Sequence, residues 1–330
     1  MKKIFITGGA GYVGCRLVPI LLKKKYKVTV YDIMFYGNKL SNHRNLKMIK
    51  GDVRDKKKLE KSSLNHDIFL HLACISNDAS FVLDKKLSKT VNLDAFEPMV
   101  LIAKKNKIKR FIYASTSSVY GISNKKNVRE NHPLVPLTLY NKYKGLCEPK
   151  LFKHTDENFT GVVFRPATVC GYSTRQRLDL SVNILTNHAI NRNEITIFGG
   201  KQLRPNLHIL DYCNAVIKLI KTPKKYVENQ VFNVGYQNYS INNLALIVKK
   251  TIEKVYKKKK IQLKNIKSND IRSYHINSDK IKRLLNFNPK FTIEHAVLEL
   301  VKAFKKNKIK NSFNNDIYFN VKRMMKIKAK

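Results

Sequence analysis

Through the first half of the chain, short apolar runs of four or five residues alternate with longer stretches of helical spacing. This is the pattern of βαβ units on a parallel sheet. Lys3-Ile4-Phe5-Ile6-Thr7 predicts a first buried strand, and Tyr12 to Lys23 the helix that follows it. Lys27 to Tyr31, Leu46 to Ile49, Ile68 to Leu72, Phe111 to Ala114 and Val162 to Phe164 continue the strands. The regularity breaks after about Gly171. Beyond it, Val231 to Gly235 reads as a strand returning late to the sheet, and Ile241 to Val255 and Ile293 to Phe304 are apolar at helical spacing. The expected fold is α/β, a doubly wound parallel sheet with a smaller, mixed α/β C-terminal lobe.

Of the 330 residues, 43% are hydrophobic and 10% aromatic, enough for a real core and against general disorder. Lys and Arg number 65 against 23 Asp and Glu, a formal charge of +42, which raises nucleic acid as a partner. The lysines are spread along the whole chain, however, and no zinc-finger spacing, RNP-type motif or basic zipper accompanies them. A solvated lysine coat with no specific nucleic-acid role is the reading. Ten Lys/Arg against one Asp fall in the last 30 residues, so residues 311–330 are read as a solvated basic tail. The five cysteines are scattered without a CxxC pair, which supports neither a disulfide framework nor a metal site. No apolar stretch approaches the ~20 residues of a membrane span. A soluble, cytoplasmic protein is expected.

Gly8-Gly9-Ala10-Gly11-Tyr12-Val13-Gly14 follows the first strand and opens a helix. Gly8 suits a tight turn, Gly11 lets backbone N–H groups approach a pyrophosphate, and Gly14 permits close packing of helix on strand. The helix N-terminus adds partial positive charge for the phosphates, with Tyr12 and Val13 in its first turn. Asp32 closes the second strand 18 residues after Gly14, where a carboxylate accepts from a ribose 2′-hydroxyl and repels a 2′-phosphate. NAD is the expected cofactor, and residues 1–170 the expected Rossmann-type NAD domain. Further on, Tyr140-Asn141-Lys142-Tyr143-Lys144 holds a Tyr-x-x-x-Lys, whose i and i+4 side chains share a helix face. A nearby ammonium would bring the Tyr140 phenol toward a useful base, and Lys144 could also hold the nicotinamide ribose.

With these motifs the chain resembles the extended short-chain dehydrogenase/reductases, the NAD-dependent epimerase/dehydratase group acting on nucleotide sugars, from Lys3 to about Phe304. The resemblance implies that Asp52 and Val53 contact adenine and that Leu72, Ala73 and Asn92 line the cofactor. It makes Thr116 a catalytic hydroxyl beside Tyr140 and Lys144. It also implies a homodimer and a nucleotide-diphosphate sugar as substrate. Where family dehydratases carry Asp-Glu, this chain has Ser117-Ser118, so 4,6-dehydratase chemistry is disfavoured and an epimerase or dehydrogenase acting at C4 is expected.

The resemblance places Ser117, Thr168, Arg204 and Arg272 on the substrate, Arg204 and Arg272 toward its diphosphate. Arg175-Gln176-Arg177-Leu178-Asp179 is a polar loop whose Arg177 could read sugar hydroxyls or phosphate, or form a surface salt-bridge cluster. Arg177 to Asn183, and Leu300 to Phe304 before the basic tail, look like GDP-heptose 4-dehydrogenases. His208 and Asp211 lack a third metal ligand and are read as structural. Residues 171–204 and 237–310 are assigned to the substrate lobe, with a late strand near 205–236 returning to the first domain. A non-catalytic NAD(H)-binding regulator and a nucleic-acid-associated protein of the same fold are the alternatives.

Overall fold

The computed structural model describes residues 1–330 apart from 77, 124, 126, 269–272 and 330. Twelve strands are seen among the described residues: β1 (Lys3–Thr7), β2 (Lys27–Asp32), β3 (Leu46–Lys50), β4 (Ile68–His71), β5 (Arg110–Ala114), β6 (Thr160–Pro166), β7 (Thr168–Cys170), β8 (Glu194–Phe198), β9 (Leu203–His208), β10 (Gln230–Val234), β11 (Gln237–Ser240) and β12 (Gln262–Ile266). Seven of them make one parallel sheet in the order β10-β6-β5-β4-β1-β2-β3. The order reverses at β1/β4, and open parallel sheets bind ligands at the carboxyl ends of strands beside such a switch.

Both faces of this sheet are covered, which explains why its strands read as continuous apolar runs. Successive residues of β1 go to opposite cores: Ile4 and Ile6 pack with the helix Gly14–Lys23, whereas Phe5 packs with Phe96, Met99 and Phe111. On that second face Phe5, Phe69 and Phe111 run across three strands, with ring centroids 5.1 and 4.7 Å apart. The late strand pairs with β6, Val231 opposite Val163, as the seventh strand.

The other strands form a three-stranded sheet, β11-β9-β7, and a parallel pair, β12-β8. β11, Gln237-Asn238-Tyr239-Ser240, is short and polar, whereas β8 alternates, with Ile195 and Ile197 buried beside Glu194 and Thr196. A third core joins Val182 and Leu185 to Leu244, Val248, Val297 and Val301, from the helices Ser181–Arg192, Ile241–Val255 and Ile293–Lys305.

The end of the chain corrects one expectation. Residues 311–330 are basic, but they are not a solvated tail. Tyr318 packs with Leu178, Leu300 and Ile309, and Met324, on the helix Asn320–Lys326, is buried with Ile75 and Leu87. Lys322, Lys326 and Lys328 are exposed while Phe313, Tyr318 and Met324 face inward, so composition alone concealed an amphipathic segment. Among the described residues, no helix is long and apolar enough to cross a membrane. The five cysteines are unpaired.

Candidate functional site

A cavity of about 640 Å³ lies along the carboxyl ends of β1, β2, β4, β5 and β6. That is within the usual ~300–1,000 Å³ of cofactor and ligand sites. One end is lined by Gly8, Gly11, Tyr12, Val13, Gly14, Asp32, Asp52, Val53, Leu72 and Ala73. Thr116, Ser117, Tyr140 and Lys144 line the middle, and Thr168, Arg177 and Arg204 continue toward the second lobe.

The glycine turn is built for close approach. Gly8 has φ +75°, and a Cβ on it would lie 2.5 Å from the Ala73 nitrogen. A Cβ on Gly14 would fall 2.2 Å from the Gly9 carbonyl oxygen. No side chain caps the helix Gly14–Lys23 at Val13, so its N-terminus is available to an anion. Asp32 accepts from the amides of Ala10 at 3.0 Å and Met34 at 2.8 Å; burial pushes its carboxyl up, and these bonds oppose the rise. The Asp52 carboxylate is gripped by Arg54, whose Nη2 donates at 2.6 Å; burial would raise its pKa, but Arg54 brings it below the usual carboxylate range. These features fit NAD: a turn that a Cβ would fill, an open helix N-terminus and a carboxylate at the end of β2.

Tyr12 is turned away from the turn it follows. Its hydroxyl donates to the Gly171 carbonyl at 2.7 Å and accepts from Asn183, which stitches the glycine turn to the second lobe. Asn92 does not line the cavity, contrary to expectation. Its amide is spent on the backbone of Ile75, donating to the carbonyl at 3.0 Å and accepting from the N–H at 2.9 Å. It supports the wall rather than forming it. Arg272 lies outside the described residues.

Tyr140 and Lys144 are set by the helix Leu139–Phe152, capped by Thr138, whose hydroxyl accepts from the Asn141 amide at 3.3 Å. The Lys144 ammonium donates to the Ala114 carbonyl at 2.5 Å and sits 4.7 Å from the centroid of the Tyr113 ring. Burial pushes the Tyr140 phenol well up, Cys74 and Asp78 add to this, and the cation opposing it is Arg177. The Lys144 ammonium itself is turned to the end of β5.

Thr116 accepts from the Ser118 amide at 3.2 Å, and its hydroxyl shares a 2.8 Å hydrogen bond with the Ser118 hydroxyl, which in turn donates to Asn141. Ser117 lies 3.4 Å from the Tyr274 hydroxyl. Behind this cluster a buried pair fixes the frame: Glu148 accepts from Ser115 Oγ at 2.6 Å and from Arg165 Nη2 at 2.5 Å. Asp78 brings a carboxylate to the cavity wall and accepts from Thr138 at 2.5 Å.

Arg177 donates to Asp179 at 2.8 Å and to Ser76 at 3.3 Å, so it is a buried wall residue and not part of a surface cluster. Arg204, on β9, lines the cavity from the lobe. His208 caps the helix Ile209–Lys221, and Asp211 accepts from the amides of Lys290 and Phe291, both structural roles. Sequence reasoning missed Tyr36, Ser76, His188, Asn320 and Met324, all of which line the cavity. Of these, Met324 had a signal, as one of the apolar positions among the terminal lysines.

Residues 4–235 match the NAD dependent epimerase/dehydratase family. The chain is 31% identical over 247 residues to an uncharacterized UDP-glucose epimerase of Bacillus subtilis, covering 71% of this chain and 76% of that protein. It is 24% identical over 321 residues to a dTDP-glucose 4,6-dehydratase of Actinoplanes, covering 93% and 98%. Among solved structures, a UDP-N-acetylglucosamine 4-epimerase from Methanobrevibacter ruminantium, in complex with UDP-N-acetylmuramic acid, superimposes with a TM-score of 0.83. The two are 26% identical, and the match covers 93% of this chain and 99% of that one.

Proposed function

Because the chain belongs to the NAD dependent epimerase/dehydratase family, we propose that it oxidises a hydroxyl, at C4, of a nucleotide-diphosphate sugar, as an epimerase or a dehydrogenase. The observation that carries this reading is the convergence of Thr116, Tyr140 and Lys144 on the cavity that also holds the glycine turn and Asp32. The names of the relatives, UDP-glucose epimerase and dTDP-glucose 4,6-dehydratase, support the substrate class.

When bound, NAD supplies the hydride acceptor and a positive charge. Tyr140 takes the proton of the sugar hydroxyl at its phenolic oxygen, and Arg177 is the protein cation that favours the phenolate. Thr116 hydrogen-bonds the same sugar oxygen, its own hydroxyl already oriented by Ser118. Lys144 holds the cofactor's ribose from the end of β5. Arg204 and Thr168 meet the nucleotide side, where a permanently charged guanidinium suits a diphosphate.

Ser117 and Ser118 stand where the resemblance puts the Asp-Glu pair of dehydratases, which supports a reaction without loss of water, although relatives include a dTDP-glucose 4,6-dehydratase and Asp78 lines the same cavity. A homodimer belongs to the same reading, supported by Leu101 and Leu146, 47% and 43% exposed on the packed helices Phe96–Lys105 and Leu139–Phe152.

The test is Tyr140→Phe assayed against a panel of nucleotide hexoses, with products identified by mass spectrometry. Turnover should fall by roughly 10²–10⁴-fold while NAD still binds. Native-rate turnover in Tyr140→Phe removes Tyr140 as the base, and a product lacking one water overturns the reading without loss of water.

A further inference from the structure

The terminal segment that composition had marked as solvated reaches the cofactor cavity through a chain of directed contacts. Phe313 packs on the helix Ser181–Arg192, its ring 5.6 Å from His188 and 3.9 Å from the Arg192 guanidinium carbon. The Leu178 amide donates to the Tyr318 carbonyl at 2.9 Å. Arg323 Nε donates to the Phe35 carbonyl at 2.6 Å, just beyond β2. Asn320 is the hub. Its side chain accepts from Arg175 Nη2 at 2.7 Å and donates to Ser76 Oγ at 2.8 Å, and its amide donates to Asp179 at 3.0 Å.

The groups so fixed are two guanidiniums lining one wall of the cavity, Arg175 at 2% and Arg177 at 9% exposure. Arg177 has Asp179 as its partner, whereas Arg175 lies over the Tyr36 ring at 3.7 Å. Arg175 Nε and Nη1 and Arg177 Nη2 have no hydrogen-bond partner among the described residues. Burial, and then the charge of Arg177, push the Arg175 guanidinium down to about 10. Asp32 and Asp179 act on Arg175 through space, but its buried donors without acceptors are costly, and a bound anion is the ordinary remedy.

Their position says which anion. The Arg175 loop is tied to the glycine turn by Ser173 Oγ donating to the Tyr12 carbonyl at 2.7 Å, and Arg177 is tied to the loop after β4 through Ser76. The pair therefore belongs to the wall between the Asp32 end of the cavity and Tyr140, whereas Arg204 belongs to the lobe. We propose that residues 311–326 form a clasp that, through Asn320, sets Arg175 and Arg177 to receive the diphosphate of the bound cofactor and slows release of that cofactor. A diphosphate also exists in the proposed nucleotide sugar, and the experiment separates the two sources. The inference rests on NAD as the cofactor and not on the sugar chemistry, so failure of the Tyr140 test leaves it standing.

The full chain and its Arg175→Gln, Asn320→Ala and Arg323→Ala variants are compared in two measurements. Calorimetry uses ADP, adenosine and UDP as probes, and release of bound NADH is followed by its fluorescence on chasing with NAD. Arg175→Gln should weaken ADP about 10-fold or more while leaving adenosine and UDP close to native, as loss of a charged hydrogen-bonding partner requires. Asn320→Ala and Arg323→Ala should release NADH about 10-fold faster. Equal weakening of ADP and adenosine, a loss confined to UDP, or native release rates in both clasp variants would overturn the proposal. If Arg175→Gln does not fold, the release rates of the two clasp variants decide.

Discussion

Replacing Glu148 with Gln keeps the volume of the side chain and removes its charge, and the surroundings fix what that costs. Both partners of the Glu148–Arg165 pair are nearly inaccessible, with side-chain exposures of 4% and 5%. Glu148 takes two bonds from Arg165, at 3.0 and 2.5 Å, and one from Ser115. Arg165 gives its remaining donors to the Tyr120 hydroxyl at 2.7 Å and the Glu130 carbonyl at 3.1 Å, neither of which carries charge. Glu148→Gln thus strands a buried guanidinium, a change that costs about 3–5 kcal/mol. With an unfolding entropy of ~0.7 kcal/mol/K for a chain of this length, the melting temperature should drop by about 4–7 °C. Tyr140, Lys144 and Glu148 recur every four residues on one helix, and Ser115 precedes Thr116, so turnover should fall along with stability. Thermal unfolding followed by circular dichroism reads the first effect. Replacing both members with Met removes the stranded charge and should recover most of the loss. A melting temperature for Glu148→Gln within about 1 °C of native would refute the reasoning, since the pair would then not behave as a desolvated one.

Asp32→Ala should weaken NAD and narrow its advantage over NADP, because the carboxylate that repels a 2′-phosphate is gone; calorimetry with both cofactors checks the ratio. Gly14→Ala sets a Cβ against the Gly9 carbonyl, backbone against backbone, and should reduce NAD affinity by more than about 10-fold, read by the same titration. His71, buried beside Thr7 and pushed down to about 3 by burial and then by Lys144, stays neutral in the native state. Between roughly pH 6.5 and 3 only the unfolded chain takes up that proton, so stability falls with decreasing pH by up to ~1.4 kcal/mol per unit. His71→Gln should flatten the acid side of a plot of melting temperature against pH.

The cofactor half was readable because its signals are local. A parallel sheet buried on both faces shows as apolar runs, and a strand–glycine turn–helix needs no distant partner to be recognised. The Tyr-x-x-x-Lys was readable for the same reason. What escaped depends on contacts far apart in the chain. Arg177 looked like either a phosphate reader or a surface ion, and only folding showed that Asp179 and Ser76 bury it in the wall. Asn92 occupies a position expected to touch the cofactor, yet its amide serves Ile75. Lys144 shares a helix face with Tyr140, but spacing does not say where an ammonium on a flexible stem will point. The lysines of residues 311–330 masked the few apolar positions that hold the segment down.

The pairing of β10 with β6 has a consequence for synthesis and dissection of the chain. Every residue of β6 is buried, and its outer edge is covered by a strand that begins only at Gln230. A nascent chain, or a fragment cut after Pro166 to isolate the cofactor half, presents Thr160 to Pro166 as a bare apolar edge, the kind of surface that pairs with other chains and aggregates. Closing it requires the intervening substrate-side residues to be made first, a long loop whose entropy must be met before any contact rewards it. The sheet is therefore complete only once the chain has passed Val234, and a fragment that ends earlier leaves this edge bare.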